Sequence, residues 1–121
     1  MTDPQTSADR LFVAHRRLVH RLVRGFRRVA EPLVFETNGP TLWLALARAM
    51  TTLLVEVWRG GGLVGERPDE AFFVRCDQTN NPPQAIDEGR CLCEVGIAPA
   101  TPMEFITIRI ALRRDGSLEV H

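Results

Sequence analysis

EFITIRIAL, residues 104–112, is the stretch of this sequence with the clearest period of two. One side of an extended strand would carry Ile106, Ile108, Ile110 and Leu112, and the other Phe105, Thr107, Arg109 and Ala111. Such alternation predicts a β-strand with one buried face and one mixed face. Two runs rich in apolar and β-branched residues, 71–76 and 91–98, predict two further strands. The second half of the chain is therefore expected to form a sheet.

Two helices are predicted before this sheet. From Asp9 to about Val29, apolar residues recur every three or four positions and arginines occupy the other sides. Pro40 suits the first turn of a second helix, which runs to about Arg59 and stops at the three glycines 60–62. We predict an α+β fold in which two main helices pack on one face of a small mixed β-sheet, as a two-layer sandwich.

The chain is interpreted as one domain with short extensions. Residues 1–8 lack periodicity and are predicted to form a flexible N-terminal arm. Residues 9–112 form the single α/β domain, with a short strand-like run at 33–36 between the helices. The turn signal RRDGS begins the last segment, so residues 113–121 are predicted to form a C-terminal hairpin or a linking arm.

Charge is the strongest functional signal in the composition. All 15 basic residues are arginines, 15 acids balance them, and the first thirty residues hold seven arginines against two acids. The arginine-rich helix also has an apolar stripe, and no stacking aromatics accompany its arginines, so docking to an acidic protein is favoured over nucleic acid. The longest near-apolar run, 42–58, is interrupted by charged residues, so no membrane insertion is predicted.

No catalytic or metal-binding constellation emerges from the sequence. A zinc site would need ligands from Cys76, Cys91, Cys93 and His121. The one-residue gap between Cys91 and Cys93 differs from the usual spacing of paired zinc ligands and places both on one apolar strand face, where core packing is the better interpretation. We therefore predict no enzyme, no cofactor and no small-molecule substrate.

Residues 34–110 resemble the C-terminal core domain of contractile tail sheath proteins, from phages and from related contractile injection systems. Three stretches carry the resemblance: VFETNGPTLW (34–43), LLVEVWRGGGLVGERPDEAFFVRCDQTNNPP (53–83) and EGRCLCEVGIAPATPMEFITIRI (88–110). Subunits of that family stack as rings around an inner tube and shorten to drive the tube through an envelope. The resemblance implies a mechanical role, assembly in the bacterial cytoplasm, and a place in a phage tail or a phage-tail-like particle.

Partners and surfaces follow from the same resemblance. The implied partners are copies of the chain or full-length sheath subunits, the inner tube protein and baseplate proteins. Terminal arms of such sheaths add strands to neighbouring subunits through exposed sheet edges. We expect the strand-addition edge to comprise Thr107, Arg109, Ala111, Arg113, Leu118 and Val120. We expect the surface that meets the tube or another subunit to comprise Arg16, Arg17, Arg21, Arg24, Arg48, Thr52, Glu56 and Arg59.

The start of the chain departs from that family. A full sheath protein has a long N-terminal portion before this core, whereas this sequence opens almost directly with the first helix. A fragment, a minimal sheath subunit and a baseplate component that initiates sheath growth all fit the sequence. The remaining alternative is a small nucleic-acid-binding module that uses the arginine-rich helix, whose affinity would fall steeply with salt.

Overall fold

The computed structural model describes residue 13, residues 15–33 and residues 35–120. The predicted arm, residues 1–8, lies outside this part of the chain. The helices are α1 (Arg16–Ala30), α2 (Pro40–Arg59), α3 (Pro68–Ala71) and α4 (Pro83–Asp87), and a 3-10 turn covers Glu31–Leu33. The strands are β1 (Phe72–Arg75), β2 (Arg90–Ile97), β3 (Ile106–Arg113) and β4 (Leu118–Val120). The predicted α+β class is confirmed.

The four strands form one sheet in the order β1-β2-β3-β4. Each neighbouring pair is antiparallel, and the register places Val74, Val95 and Ile108 side by side. The prediction of a mixed sheet is wrong for the described residues. The links of residues 98–105 and 114–117 are too short for the crossover that parallel neighbours require, so they join antiparallel strands.

One face of the sheet and the two long helices share a continuous core. The sheet contributes Cys91, Cys93, Val95 and Ile97 from β2, and Ile106, Ile108, Ile110 and Leu112 from β3. The helices contribute Val19, Leu22, Phe26 and Ala30 from α1, and Leu42, Trp43, Leu46, Met50 and Leu54 from α2. These are the alternate positions of the strands and the three- and four-residue positions of the helices, as expected for a two-layer sandwich.

The ends of α2 agree with the sequence prediction. Pro40 occupies its first turn, and the chain leaves the helix through the glycines that follow Arg59. Gly61 adopts φ 86°, a left-handed conformation that favours glycine, and the Gly62 N–H returns to the carbonyl of Val57 at 2.9 Å. By length and composition alone α2 could cross a bilayer, but an ordinary core helix meets the same criterion, and Leu46, Met50 and Leu54 lie in the core.

The strand-like run predicted at 33–36 is wrong where the structure describes it. Leu33 closes the 3-10 turn, and Phe35 and Glu36 follow in a turn. The N–H of Glu36 donates to the carbonyl of Leu33 at 3.1 Å, a local hydrogen bond in place of a sheet ladder. An apolar run of four residues predicts a strand only if a neighbouring strand can pair with it, and the sheet is already complete without this segment.

Candidate assembly surfaces

The outer side of α1 carries an unpaired row of guanidinium groups. We call it the arginine face, and it consists of Arg16, Arg17, Arg21, Arg24, Arg27 and Arg28, all exposed. None of them takes part in an ion pair within the described part of the chain, whereas five arginines of the second half do. Exposed, unpaired guanidinium groups suit bidentate contacts with carboxylates of another molecule.

The polar stripe of α2 lies on the solvent side of the same helix layer. Its predicted interface residues, Arg48, Thr52, Glu56 and Arg59, are all exposed. The Thr52 hydroxyl donates to the carbonyl of Arg48 one turn earlier, at 3.0 Å, so it is engaged locally. Both predicted groups are thus exposed on the helices of the helix layer.

The predicted strand-addition edge falls partly on an inner strand. The N–H of Arg113 donates to the carbonyl of Ser117 at 2.9 Å, which shows that Arg113 and alternate residues of β3 direct their backbone groups toward β4. Ala111 lies opposite Glu119 and is therefore paired within the chain. Thr107 and Arg109 direct their backbone groups to the same side as Ala111. The described part of β4 ends at Val120, which lies opposite Ile110, so no described residue of β4 lies opposite them.

Two of the predicted residues do lie on a sheet edge. Because Glu119 faces β3, the backbone groups of Leu118 and Val120 face outward from β4. Val120 is exposed and Leu118 is half-buried. Among the described residues, β4 pairs with Ile110–Leu112 of the longer strand.

A second edge, on β1, was missed by the sequence prediction. The N–H of Ala98 donates to the carbonyl of Ala71 at 2.8 Å, so alternate residues from Ala71 through Phe73 to Arg75 face β2. Val74 therefore directs its N–H and its carbonyl away from the sheet. The sequence predicted this strand correctly, but strand order, which makes it an edge, depends on contacts between distant residues.

Two asparagine side chains bind the backbone of β2 on its β1 side, beyond the residues that β1 pairs with. The Asn81 amide accepts from the N–H of Leu92 at 2.6 Å and donates to the carbonyl of the same residue at 2.9 Å, as a neighbouring strand would. Asn38 donates to the carbonyl of Arg90 at 2.8 Å. Asn81 is 2% exposed, so its amide acts as a buried substitute for a strand. An added strand on this side can consequently pair only with β1.

The other face of the sheet points away from the helices, and we call it the helix-free face. Glu94 lies between two arginines, 3.7 Å from Arg75 and 3.5 Å from Arg109. At one end, the rings of Phe73 and Phe105 meet edge to face with centroids 5.2 Å apart. This face is a mixture of compensated charge and aromatic surface.

Three free thiols lie together on the core side of the sheet. Cys76, Cys91 and Cys93 are buried, and the sulfurs of Cys76 and Cys91 are 3.9 Å apart. The hydrogen bond with Cys91 favours the Cys76 thiolate, but the hydrogen bond with Cys93 and burial outweigh it and raise the pKa of Cys76 well above its ordinary value. The hydrogen bond with Cys76, together with burial, raises the pKa of Cys91 in the same direction.

Comparison with known proteins gives the family. Residues 5–113 match the phage tail sheath C-terminal domain family, a range that includes α1 through β3. The chain belongs to this family. This chain is 28% identical over 107 residues to the tail sheath protein of Vibrio phage KVP40. The match covers 88% of this chain and 15% of that protein.

Solved structures give the same assignment for the fold. This chain is 33% identical to a chain of the anti-feeding prophage baseplate, with a TM-score of 0.67. The match covers 75% of this chain and 26% of the baseplate chain. This chain is also 32% identical to a chain of the PVC sheath complex, an extracellular contractile injection system in its contracted state, with a TM-score of 0.65 and the same coverage. This chain thus spans about a quarter or less of the length of these relatives.

Proposed function

We propose that this chain is a structural subunit of a contractile sheath, in a phage tail or an injection system, and that it assembles with other sheath subunits around an inner tube. The observation that carries the proposal is the family match over residues 5–113, because it covers the helix layer and the three longer strands together. Similarity to a chain of a contracted sheath complex supports the same role. The chain would act through contacts with other proteins, and it would assemble in the bacterial cytoplasm before it becomes part of the particle.

Strand addition is the proposed means of linking subunits. Val74 on one side, and Leu118 and Val120 on the other, direct backbone donors and acceptors outward. Such groups bind an incoming strand through main-chain hydrogen bonds. Asn38 and Asn81 support the proposal indirectly, because they occupy backbone groups of Arg90 and Leu92 and so leave β1 as the place on this side where a strand can be added.

The arginine face is the proposed docking surface for an acidic protein, either the inner tube or the adjacent subunit. Its six guanidinium groups have no ion-pair partner among the described residues and project from a rigid helix. The polar stripe of α2 extends the surface with Arg48 and Arg59. The field of such a row attracts an acidic partner and is weakened by salt.

A baseplate component that starts sheath growth is the second candidate role. Similarity to a chain in a baseplate structure favours it specifically. The two roles predict different positions in a particle: a bulk subunit is distributed along the sheath, whereas an initiator is confined to one end.

Co-expression with a full-length sheath protein and its tube tests the proposal. We expect the tagged chain to co-purify with tail particles or sheath tubes, and gold labelling with electron microscopy to show whether it lies along the sheath or at one end. A chain that stays monomeric at high concentration and does not enter these particles would contradict the proposed function.

Edge variants test strand addition separately. Val74→Pro and Leu118→Pro each remove an outward-facing N–H, and a proline on an edge strand also obstructs the incoming chain. Val74→Ala and Leu118→Ala are the matched controls, since they shorten the same side chains but keep the N–H. We expect at least one proline variant to lose incorporation while its alanine control retains it. Normal incorporation of both proline variants would rule out strand addition at these edges.

Charge reversal tests the arginine face. We expect Arg21→Glu with Arg24→Glu to leave the free energy of unfolding nearly unchanged, because neither side chain has an ion-pair partner among the described residues, and to reduce incorporation. Arg114→Glu is the control, since it makes the same change at an exposed arginine outside the arginine face. Binding of short duplex DNA at physiological salt that the double variant abolishes, without any effect on incorporation, would instead favour the nucleic-acid role.

A further inference from the structure

Cys76 interacts with both other thiols of the cluster, and its contact with Cys91 is the one considered for a covalent bond. The sulfurs of Cys76 and Cys91 are 3.9 Å apart. A disulfide brings two sulfurs to about 2.0 Å, so closure requires them to approach by about 2 Å. Cys76 is the first residue after β1 and precedes an exposed loop, so this side of the pair is the one with room to adjust.

The third thiol has a second partner on the helix layer. Cys93 donates to the sulfur of Met50 on α2 at 3.4 Å, between the sheet and the helix layer. It is also the least exposed of the three, at 2%, against 8% for Cys76. Cys91 and Cys93 are alternate residues of one extended strand, which holds their backbones too far apart for an unstrained bond.

Cys76 is the most exposed of the three thiols, at 8%. It lines a surface groove of about 480 Å³ together with Trp43, Leu44 and Ala47 of α2. Leu44 is 51% exposed at the rim of the groove, so the groove opens to solvent beside the helix.

We propose that Cys76 and Cys91 form an intramolecular disulfide when the protein meets a small-molecule disulfide such as oxidised glutathione. The small fraction of Cys76 that is present as thiolate, since its pKa is raised, attacks one sulfur of the reagent, forms a mixed disulfide and releases one reagent thiolate, so the reaction is faster at higher pH. The Cys91 thiolate then attacks the Cys76 sulfur, forms the internal bond and releases the second reagent thiolate. The two protons given up by the protein thiols go to the two released thiolates, so the protein loses two electrons and the reagent gains them.

The bond would link the end of β1 to β2 across the loop of residues 77–82. That loop carries Asn81, whose side chain pairs with Leu92 next to Cys91. Closing this loop covalently restricts the unfolded chain and holds the asparagine in place in the folded one. The reduced protein is the form expected in a reducing cytoplasm, and the oxidised form is the more stable one expected in an oxidising medium.

Incubation of the native full chain with excess oxidised glutathione, followed by alkylation and intact mass measurement, tests the proposal. The chain has three cysteines, so the expected product has lost two hydrogen atoms and carries one alkyl group. A non-reducing peptide map should join Cys76 to Cys91 and place the alkyl group on Cys93. The oxidised protein should also unfold at a higher temperature than the reduced protein. A map that joins Cys76 to Cys93, or three alkylated thiols after incubation under conditions that oxidise the unfolded chain, would overturn the proposal.

Alanine variants identify the order of the steps. Cys91→Ala should stop at a stable glutathione adduct on Cys76, Cys76→Ala should form no internal bond, and Cys93→Ala should behave like the native protein. An adduct on Cys91 in the Cys76→Ala protein, at the native rate, would contradict the proposed first step at Cys76. The peptide map of the native protein decides the pairing even if a variant fails to fold.

Discussion

Gly96 provides the sharpest test of how the helix-free face is packed. It lies directly opposite Phe73 in the antiparallel pair of β1 and β2. A Cβ atom added at Gly96 would lie 2.6 Å from Cζ of the Phe73 ring, and nearer still to two other ring carbons. Gly96→Ala therefore forces the ring off the strand and away from Phe105, with which it makes its edge-to-face contact.

Two effects set the expected loss of stability: overpacking by the added methyl group, and loss of the contact between the Phe73 and Phe105 rings. Overpacking of this kind costs about 1 to 3 kcal/mol. Loss of an edge-to-face ring pair costs about 0.5 to 1.5 kcal/mol. We expect Gly96→Ala to lower the free energy of unfolding by about 2 to 4 kcal/mol, a large part of the stability of a domain of this size.

Denaturant unfolding followed by tryptophan fluorescence measures this loss, since Trp43 is buried and Trp58 is half-buried. The same substitution should be made in a Phe73→Ala background. Without the ring, alanine at 96 should be neutral or should stabilise by up to about 1 kcal/mol, because it restricts the unfolded strand more than glycine does. Gly39→Ala is the comparison without a clash, since nothing lies within 4 Å of a Cβ there; because Gly39 is the N-cap of α2, where glycine is preferred to alanine, we expect a loss of up to about 1 kcal/mol.

The double-mutant cycle shows whether the Phe73 ring causes the loss of stability. If Gly96→Ala costs the same with and without the Phe73 ring, the loss arises from the backbone of β2 and not from the ring. A native-like stability of the single variant would show that the ring moves aside at no cost.

Two further predictions concern the loop that precedes α4. Asn81→Ala should lower the free energy of unfolding by about 2 to 4 kcal/mol, because it removes a buried amide and leaves the N–H and carbonyl of half-buried Leu92 without these partners. Gln78→Ala, at an exposed site, should change it by less than about 0.5 kcal/mol. The hydroxyl and the N–H of Thr79 donate to the Asp77 carboxylate and lower its pKa. Thr79→Val should therefore raise the pKa of Asp77 in an NMR titration, and no change would contradict this cause. Because the pKa is lowered on folding, this contribution to stability is present above the unfolded pKa and is lost as pH falls through the folded pKa.

Local patterns were sufficient where a single element decides its own structure. The alternation at 104–112 predicted β3 and the face that it buries, and Pro40 with the glycines 60–62 predicted both ends of α2. An apolar stripe was predicted on the first helix, and the structure buries Val19, Leu22, Phe26 and Ala30 of α1. Helix capping and strand alternation act over a few residues, so a short window of sequence contains them.

The sequence by itself therefore determined the α+β class, the resemblance to sheath proteins and the row of arginines along α1. Only the tertiary structure decided which strand lies at which edge, and so moved part of the predicted strand-addition edge onto the inner strand β3 while exposing Val74 on β1. The tertiary structure also explains Asn81 and Gly96, because each depends on a residue elsewhere in the chain. The Asn81 amide binds the backbone of Leu92, and the Phe73 ring occupies the space that a Cβ at Gly96 would need. Strand order and cross-strand register arise from contacts between residues far apart in the chain, and neither hydrophobic periodicity nor turn chemistry encodes them.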